Sequence, residues 1–164
     1  MSKIDFFEYS KKVKPVPEFG LIDKQPADID YDDKEKDKWN AIVECNNRRD
    51  YLFSPLDKKI RIPKGQGEEE SLCECILNTK DTIAFVELKD DKTSDYRRKA
   101  EKQLENTLRI FKQNNDIDKY IYKKAYICNK RRPYYNVTKN SICSDFAKRN
   151  GVSLHIGINI EEFE

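Results

Sequence analysis

The stretch that decides the fold is Thr-Ile-Ala-Phe-Val-Glu-Leu-Lys, residues 82–89. Its first five residues form an apolar run of the kind that fills a buried strand. The run ends in Glu87 and Lys89, which project from the same face of a strand because side chains alternate with a period of two. Burying two charged groups in a core strand is costly unless they pair with each other or hold a metal ion. The stretch therefore predicts a core strand whose carboxyl end carries a functional site, with a plain ion pair at a sheet edge as the alternative.

A second carboxylate, Glu74, lies upstream inside another strand-like run, residues 71–77. The two runs are joined by Asn-Thr-Lys-Asp, residues 78–81, a tetrapeptide rich in turn-forming residues. Folding this hairpin can bring Glu74 to Glu87, with the Lys89 amine beside both. Two carboxylates on adjacent strands can bind Mg²⁺ or Mn²⁺, which prefer oxygen ligands, so the hairpin predicts a metal site.

The remaining segments predict an α/β fold with a central mixed β-sheet flanked by helices. Residues 36–46 show a short helical stripe that carries one carboxylate, Glu44. A longer stripe begins at Tyr96 and predicts a helix to about Asn114. A strand over residues 124–128, a helix over 141–149 and a last strand over 152–158 follow. A long helix between two strands implies a crossover, and therefore a parallel or mixed sheet.

The first 35 residues differ from the rest in composition. They contain three prolines and an acidic run over residues 28–33, with apolar residues only in small islands. We therefore expect an irregular N-terminal arm over residues 1–35 and an α/β domain over residues 36–164.

The composition of the chain limits the classes of protein to which it can belong. The chain has 164 residues, enough for one ordinary domain, and 38% of them are charged. Its five cysteines are an odd number and lie mostly in apolar runs, which favours buried free thiols in a reducing compartment. No apolar run is long enough for a membrane span. We therefore expect a soluble, cytoplasmic protein with no membrane partner.

The net charge of +2 hides an uneven distribution along the chain. Residues 1–96 carry 17 basic and 22 acidic side chains, a net −5, whereas residues 97–149 carry 15 and 5, a net +10. A basic half beside a carboxylate cluster suits a phosphate-backbone substrate, although a solvated lysine-rich surface gives the same count. The predicted nucleic-acid contacts are Arg97, Arg98 and Lys102 on the long helix and Lys130, Arg131, Arg132 and Tyr134 in the basic and aromatic cluster after the next strand.

Taken together, Glu74, the Glu87-x-Lys89 pair and a following helix with Gln103 resemble the PD-(D/E)XK nuclease superfamily. The resemblance implies a restriction-endonuclease-like α-β-β-β-α-β core from about residue 36 to residue 158. It also implies that Glu74 and Glu87 bind the metal, that Lys89 and Gln103 complete the catalytic set, and that a helix glutamate, here Glu44, assists the metal. The family usually has aspartate where this chain has Glu74, which leaves open an active enzyme or one that has lost turnover.

The function expected from these residues is metal-dependent hydrolysis of a phosphodiester bond, with DNA as the substrate and an endonuclease as the class. Many nucleases of this fold act as homodimers, so a homodimer is left open. Two alternatives come from other classes. One is a nuclease-fold module that binds nucleic acid without cutting it, and the other is an accessory factor that binds a protein partner.

Overall fold

A computed structural model describes residues 3–91, 93, 95–131 and 139–164, except for the side chains of residues 139 and 140. Short strands dominate the first half of the chain, and two α-helices alternate with strands in the second half. In chain order the strands are β1 (Lys11–Lys12), β2 (Glu18–Ile22), β3 (Asp28–Asp30), β4 (Ala41–Glu44), β5 (Leu52–Pro55), β6 (Pro63–Gly65), β7 (Glu68–Glu69), β8 (Cys75–Asn78), β9 (Thr82–Lys89), β10 (Tyr122–Asn129), β11 (Ser153–Ile156) and β12 (Asn159–Ile160); the helices are α1 (Tyr96–Asn114) and α2 (Lys139–Asn150), with 3₁₀ turns at Asp33–Lys38 and Ile117–Lys119.

The main sheet has six strands in the order β1-β5-β8-β9-β10-β11. Strands β5, β8 and β9 are antiparallel, whereas β9, β10 and β11 are parallel. Helix α1 connects β9 to β10 and helix α2 connects β10 to β11, as parallel neighbours require. The prediction of an α/β fold with a mixed sheet is confirmed.

The two faces of this sheet are covered differently. Strand β9 directs Ile83 and Phe85 toward a core that includes Leu104 and Phe111 of α1. Its alternate residues face a second core, which it shares with a four-stranded sheet in the order β12-β4-β2-β3. The expectation of helices on both faces is therefore corrected, because one layer is a second sheet.

The prediction of a helix over residues 36–46 is wrong. A 3₁₀ turn ends at Lys38, and strand β4 follows with Ala41 and Val43 buried while Glu44 is exposed. This alternation has the period of a strand, and a β-branched pair inside it favours extended backbone. In the described residues no α-helix precedes α1.

The N-terminal segment also differs from the irregular arm expected over residues 1–35. Strands β2 and β3 belong to the second sheet, and β1 pairs with β5 at the edge of the main sheet. Phe6 is buried against α1, and Phe19 and Leu21 are buried between the two sheets. Strand β1 pairs with a strand about forty residues along the chain, whereas β2 and β3 pair with each other as near neighbours, and the prolines and acidic residues around them hid that hairpin from the pattern.

The long helix and the later elements agree with the sequence-based expectations. Helix α1 ends at Asn114 and buries Ala100 and Leu104 against the sheet. Strand β10, helix α2 and strand β11 follow in the expected order. All five cysteines are free thiols, and four of them are buried. Neither helix in the part of the chain that the structure describes is long and apolar enough to cross a membrane.

Candidate active site

The hairpin between β8 and β9 brings the two predicted carboxylates together. The strands pair Asn78 with Ile83 at the turn and Cys75 with Val86 at the far end. Glu74 lies at a bend directly before β8, close enough to Glu87 for the charge of that group to contribute to the raised pKa of Glu74. Strand β5 holds Glu74 from its other side, because the Leu56 amide donates a 2.9 Å hydrogen bond to the Glu74 carbonyl oxygen.

Lys89 and Gln103 join Glu87 at the carboxyl end of β9. The Lys89 Nζ lies 3.1 Å from the Glu87 Oε2 and donates a 2.7 Å hydrogen bond to the Gln103 Oε1. The Gln103 Nε2 in turn donates to the Leu72 carbonyl oxygen at 3.4 Å. Because Gln103 belongs to α1, the helix fixes the position of the ammonium group in front of the sheet.

The two carboxyl groups are deeply buried. Glu87 is 0% exposed and Glu74 is 9% exposed. Burial is the main cause that raises the pKa of Glu87 to about 8, and Lys89 partly opposes it. Burial, followed by the charge of Glu87, raises the pKa of Glu74 to about 9. Ionising both groups here requires a positive charge beyond that of Lys89.

The Glu87 carboxyl group also has unused hydrogen-bonding capacity. Among the described residues neither of its oxygens has a hydrogen bond of good geometry, and its contact with the Lys89 Nζ, 3.1 Å from Oε2, is an ion pair. A buried carboxylate oxygen is normally paired in a folded protein. The Glu87 carboxyl group therefore departs from this rule in the part of the chain that the structure describes.

Sequence reasoning missed two further carboxylates beside this pair. Asp57 follows β5, and its amide donates to the Cys73 carbonyl oxygen at 3.3 Å. Asp23 follows β2 in the second sheet. Both negative charges contribute to the raised pKa values of Glu74 and Glu87. In the sequence, Asp23 is marked only by its position directly after an apolar stretch. That stretch forms β2, a strand that was not predicted.

Asn40 connects the two sheets at this point. Its Oδ1 accepts a 3.0 Å hydrogen bond from the Asp23 amide, and its Nδ2 donates to the Lys89 carbonyl oxygen at 3.4 Å. The end of β9 is therefore held by α1 from one face and by the second sheet from the other.

The structure does not bring Glu44 to the site. Glu44 is exposed in β4 and pairs across the second sheet with Glu18. Four residues of strand separate it from Asn40, a span of about 13 Å. Its predicted role depended on a helix that the structure replaces with a strand, so the assignment of Glu44 as a metal ligand is corrected.

The predicted basic residues are only partly gathered at the site. Asn129 pairs with Lys89 in the parallel register, which places Lys130 and Arg131 beside the end of β9. Both side chains form ion pairs with Asp90, the Lys130 Nζ at 3.5 Å. On α1, Arg97 pairs with Glu101, whereas Arg98 and Lys102 are exposed. Arg132 and Tyr134 lie outside the described residues.

The side chains at this site can be compared with the ligands that metal ions use in proteins. In the described ranges no three His, Cys, Asp or Glu side chains are arranged as a ready-made metal site. Mg²⁺ is nevertheless commonly bound by one or two carboxylates, with water and substrate phosphate completing its shell. Glu74 and Glu87 supply two carboxyl groups, which is the type and number of ligand that such a site uses. The Cys73 thiol is fully buried and its pKa is raised well above its usual range, which does not suit a zinc ligand.

No known protein family, curated protein or solved structure matches this chain. Support for a function therefore comes from the geometry and chemistry of the site.

Proposed function

We propose that the protein is a metal-dependent nuclease that hydrolyses phosphodiester bonds of DNA as an endonuclease. The observation that carries the proposal is the convergence of Glu74, Glu87 and Lys89 at one strand end, with Gln103 bonded to the lysine. Two buried acids and an amine are a minimal set for phosphodiester hydrolysis. The strand and helix order from β5 to β11 also supports a PD-(D/E)XK-like core without its first helix.

Each residue has a role that follows from its position. Glu74 and Glu87 would hold Mg²⁺ or Mn²⁺. A bound divalent ion supplies Lewis acidity toward the phosphoryl oxygen and offsets negative charge. Lys89 stabilises the charge that develops on the scissile phosphate and orients the attacking water. Gln103 is a positioning residue, because it acts through its hydrogen bond to Lys89.

Plasmid cleavage tests the proposal. Purified protein is incubated with supercoiled plasmid in Mg²⁺, Mn²⁺ or EDTA, and nicked and linear products are quantified. We expect cleavage with either metal, none in EDTA, and a loss of at least 100-fold in Lys89→Ala, since one preorganised charge contributes about that much. Lys80→Ala is the matched control, because Lys80 is exposed at the turn end of the same hairpin.

Two outcomes contradict the proposal. One is the absence of cleavage of DNA or RNA by wild-type protein with any divalent metal. The other is cleavage that persists unchanged in Lys89→Ala, which would trace the activity to a contaminant. Thermal unfolding of each variant confirms that a lost activity reflects chemistry and not a lost fold.

A second candidate is a module that binds nucleic acid without hydrolysis. It is favoured by the engagement of Lys89 with both Glu87 and Gln103, and by the absence of a three-ligand site in the described residues. Calorimetric titration with Mn²⁺ separates the two functions. A nuclease binds the ion and loses it in Glu87→Gln, whereas the binding module shows no heat of metal binding.

A further inference from the structure

The surface on the β5 side of the candidate site contains a basic cavity that the proposed chemistry does not use. Its volume is about 490 Å³, and its walls include Pro26, Pro55 and three lysines, Lys11, Lys24 and Lys59. Asp28 is the only acidic residue among the described lining residues, which therefore carry three positive charges and one negative charge.

The lysines of this cavity are not equivalent. The Lys11 Nζ forms a 2.7 Å ion pair with Asp28, which compensates its charge. Lys24 and Lys59 form no ion pair with any part of the chain that the structure describes. The Lys59 Nζ lies 4.7 Å from the centre of the Tyr9 ring, a cation–π contact that holds the amine at the surface. The cavity therefore offers an anionic ligand two amines that lie outside ion-pair distance of a carboxylate, of which Lys24 interacts with Asp28 at longer range.

A second cavity of about 450 Å³ lies on the other side of the same contact. It is also lined by Tyr9 and Lys59, and it adds Lys3 and Arg61, together with Asp5 and Glu8. Tyr9 is 42% exposed, so part of its ring is open to solvent. The two cavities share Tyr9 and Lys59 in their walls, and we call the surface that they make up together the Tyr9 groove.

The backbone that lines the Tyr9 groove continues directly into the residues beside Glu74 and Glu87. Pro55 in its wall is followed by Leu56, whose amide is bonded to the Glu74 carbonyl oxygen, and then by Asp57. Lys24 directly follows Asp23, whose charge acts on Glu74 and Glu87. Strand β5 lies two interstrand spacings from β9, which is about 10 Å. Lys130 and Arg131 lie on the opposite side of the site, so positive side chains flank the carboxylates from both directions.

The geometry points to the Tyr9 groove as a binding site for a single strand of nucleic acid, with backbone phosphates on Lys24 and Lys59 and a base on Tyr9. A polyanionic strand is the ligand that uses unpaired amines and an exposed ring together, because amines neutralise phosphates and bases stack on aromatic rings. This inference rests on the proposed function, since it gives the substrate strand a path across the site.

Fluorescence anisotropy with a labelled single-stranded oligonucleotide tests the groove. Binding is measured in EDTA, so that no cutting occurs, and over a series of salt concentrations. We expect the double variant Lys24→Ala/Lys59→Ala to bind at least tenfold more weakly and to lower the salt slope by about 1.4, since each neutralised phosphate contributes about 0.7 for a single strand. We expect Tyr9→Ala to weaken binding by about tenfold with an unchanged salt slope.

The matched control is Lys38→Ala/Lys80→Ala, which removes two exposed lysines outside the groove. Equal weakening in both double variants would overturn the groove, because binding would then follow total charge alone. Undetectable binding by wild-type protein would overturn it as well. Competition by inorganic phosphate as effective as competition by the unlabelled oligonucleotide would show an anion site and would also overturn it.

The nuclease proposal fails separately from the groove. Cleavage in Mg²⁺ with oligonucleotide binding unaffected by Lys24→Ala/Lys59→Ala overturns the groove and leaves the nuclease standing. Binding that depends on the groove, with no cleavage under any metal, overturns the nuclease and leaves the groove standing.

Discussion

Replacing Glu87 with glutamine is expected to stabilise the metal-free protein at high pH. The folded pKa of about 8 exceeds the ordinary value of 4.5, so the folded chain retains a proton that the unfolded chain has lost. The stability of wild-type protein therefore falls as pH rises from about 4.5 to about 8. Glutamine has nearly the same shape and carries no charge, so Glu87→Gln does not undergo this loss.

The size of the effect follows from the same pKa. Each tenfold change in the acid constant corresponds to about 1.4 kcal/mol, which sets an upper bound of about 5 kcal/mol above pH 8. We expect a gain of about 2 to 4 kcal/mol at pH 9 in the free energy of unfolding, because water and protein dipoles relax around the ionised form. At pH 4.5 and below, the two proteins should differ little.

Urea unfolding followed by Trp39 fluorescence measures this difference. Trp39 is the only tryptophan of the chain and is almost fully buried, so it reports the loss of the fold. The titration is run from pH 5 to pH 9 in EDTA with a thiol reductant. Glu44→Gln is the control, because an exposed glutamate should change stability by no more than about 0.5 kcal/mol at any pH.

Added Mg²⁺ or Mn²⁺ should remove most of the difference in stability between the two proteins. An ion that binds only the folded state stabilises it by about 2.7 kcal/mol at 100 times its dissociation constant. Wild-type protein should gain this increment and Glu87→Gln should not. The reasoning is refuted if Glu87→Gln is no more stable than wild type at pH 9 and shows the same pH slope, because Glu87 would then not be a destabilised buried carboxylate.

Two more substitutions test the positioning of the lysine and the contact between the layers. Gln103→Ala should lower kcat by about 10- to 100-fold with KM for plasmid nearly unchanged, because Lys89 loses the hydrogen bond that holds it; an unchanged kcat would remove Gln103 from the site. Gly20→Ala should lower the free energy of unfolding in urea by about 3 kcal/mol, because a Cβ at Gly20 would lie 2.1 Å from the Trp39 ring; a loss below about 0.5 kcal/mol would contradict this packing.

Local pattern was sufficient for the parts of the fold that form between neighbours in the chain. The β8–β9 hairpin was predicted because its turn and both strands lie within one segment, and it brings the end of β9 beside the start of β8, next to Glu74. Helix α1 was predicted because its apolar stripe has the helical period, and that stripe placed Gln103 at its edge. Three residues of the candidate site, Glu74, Glu87 and Lys89, came from the hairpin, and the fourth, Gln103, came from the helix.

The second sheet could not be predicted in this way. Strand β4 lies between β2 and β12, and its pairing with β12 joins residues more than a hundred positions apart, so no local signal specifies it. A short apolar stretch such as residues 41–45 fits a helix or a strand equally well until its neighbours are known. Because the strands of the second sheet were not predicted, Asp23 was not recognised as a neighbour of the site. For the same reason Glu44 was given a role that its position does not support.

The two layers also explain why a buried charge pair is tolerated at the end of β9. Lys89 is bonded through its side chain to Gln103 of α1 and through its carbonyl oxygen to Asn40 beside the second sheet. The strand end cannot shift to bring Glu87 to solvent without breaking contacts with both layers. The carboxyl group is therefore held in an environment that disfavours its charge, and without a cation it keeps its proton up to about pH 8. A purely structural ion pair normally leaves no buried oxygen without a hydrogen bond, whereas Glu87 lacks one among the described residues, and the proposed metal ion would supply that partner.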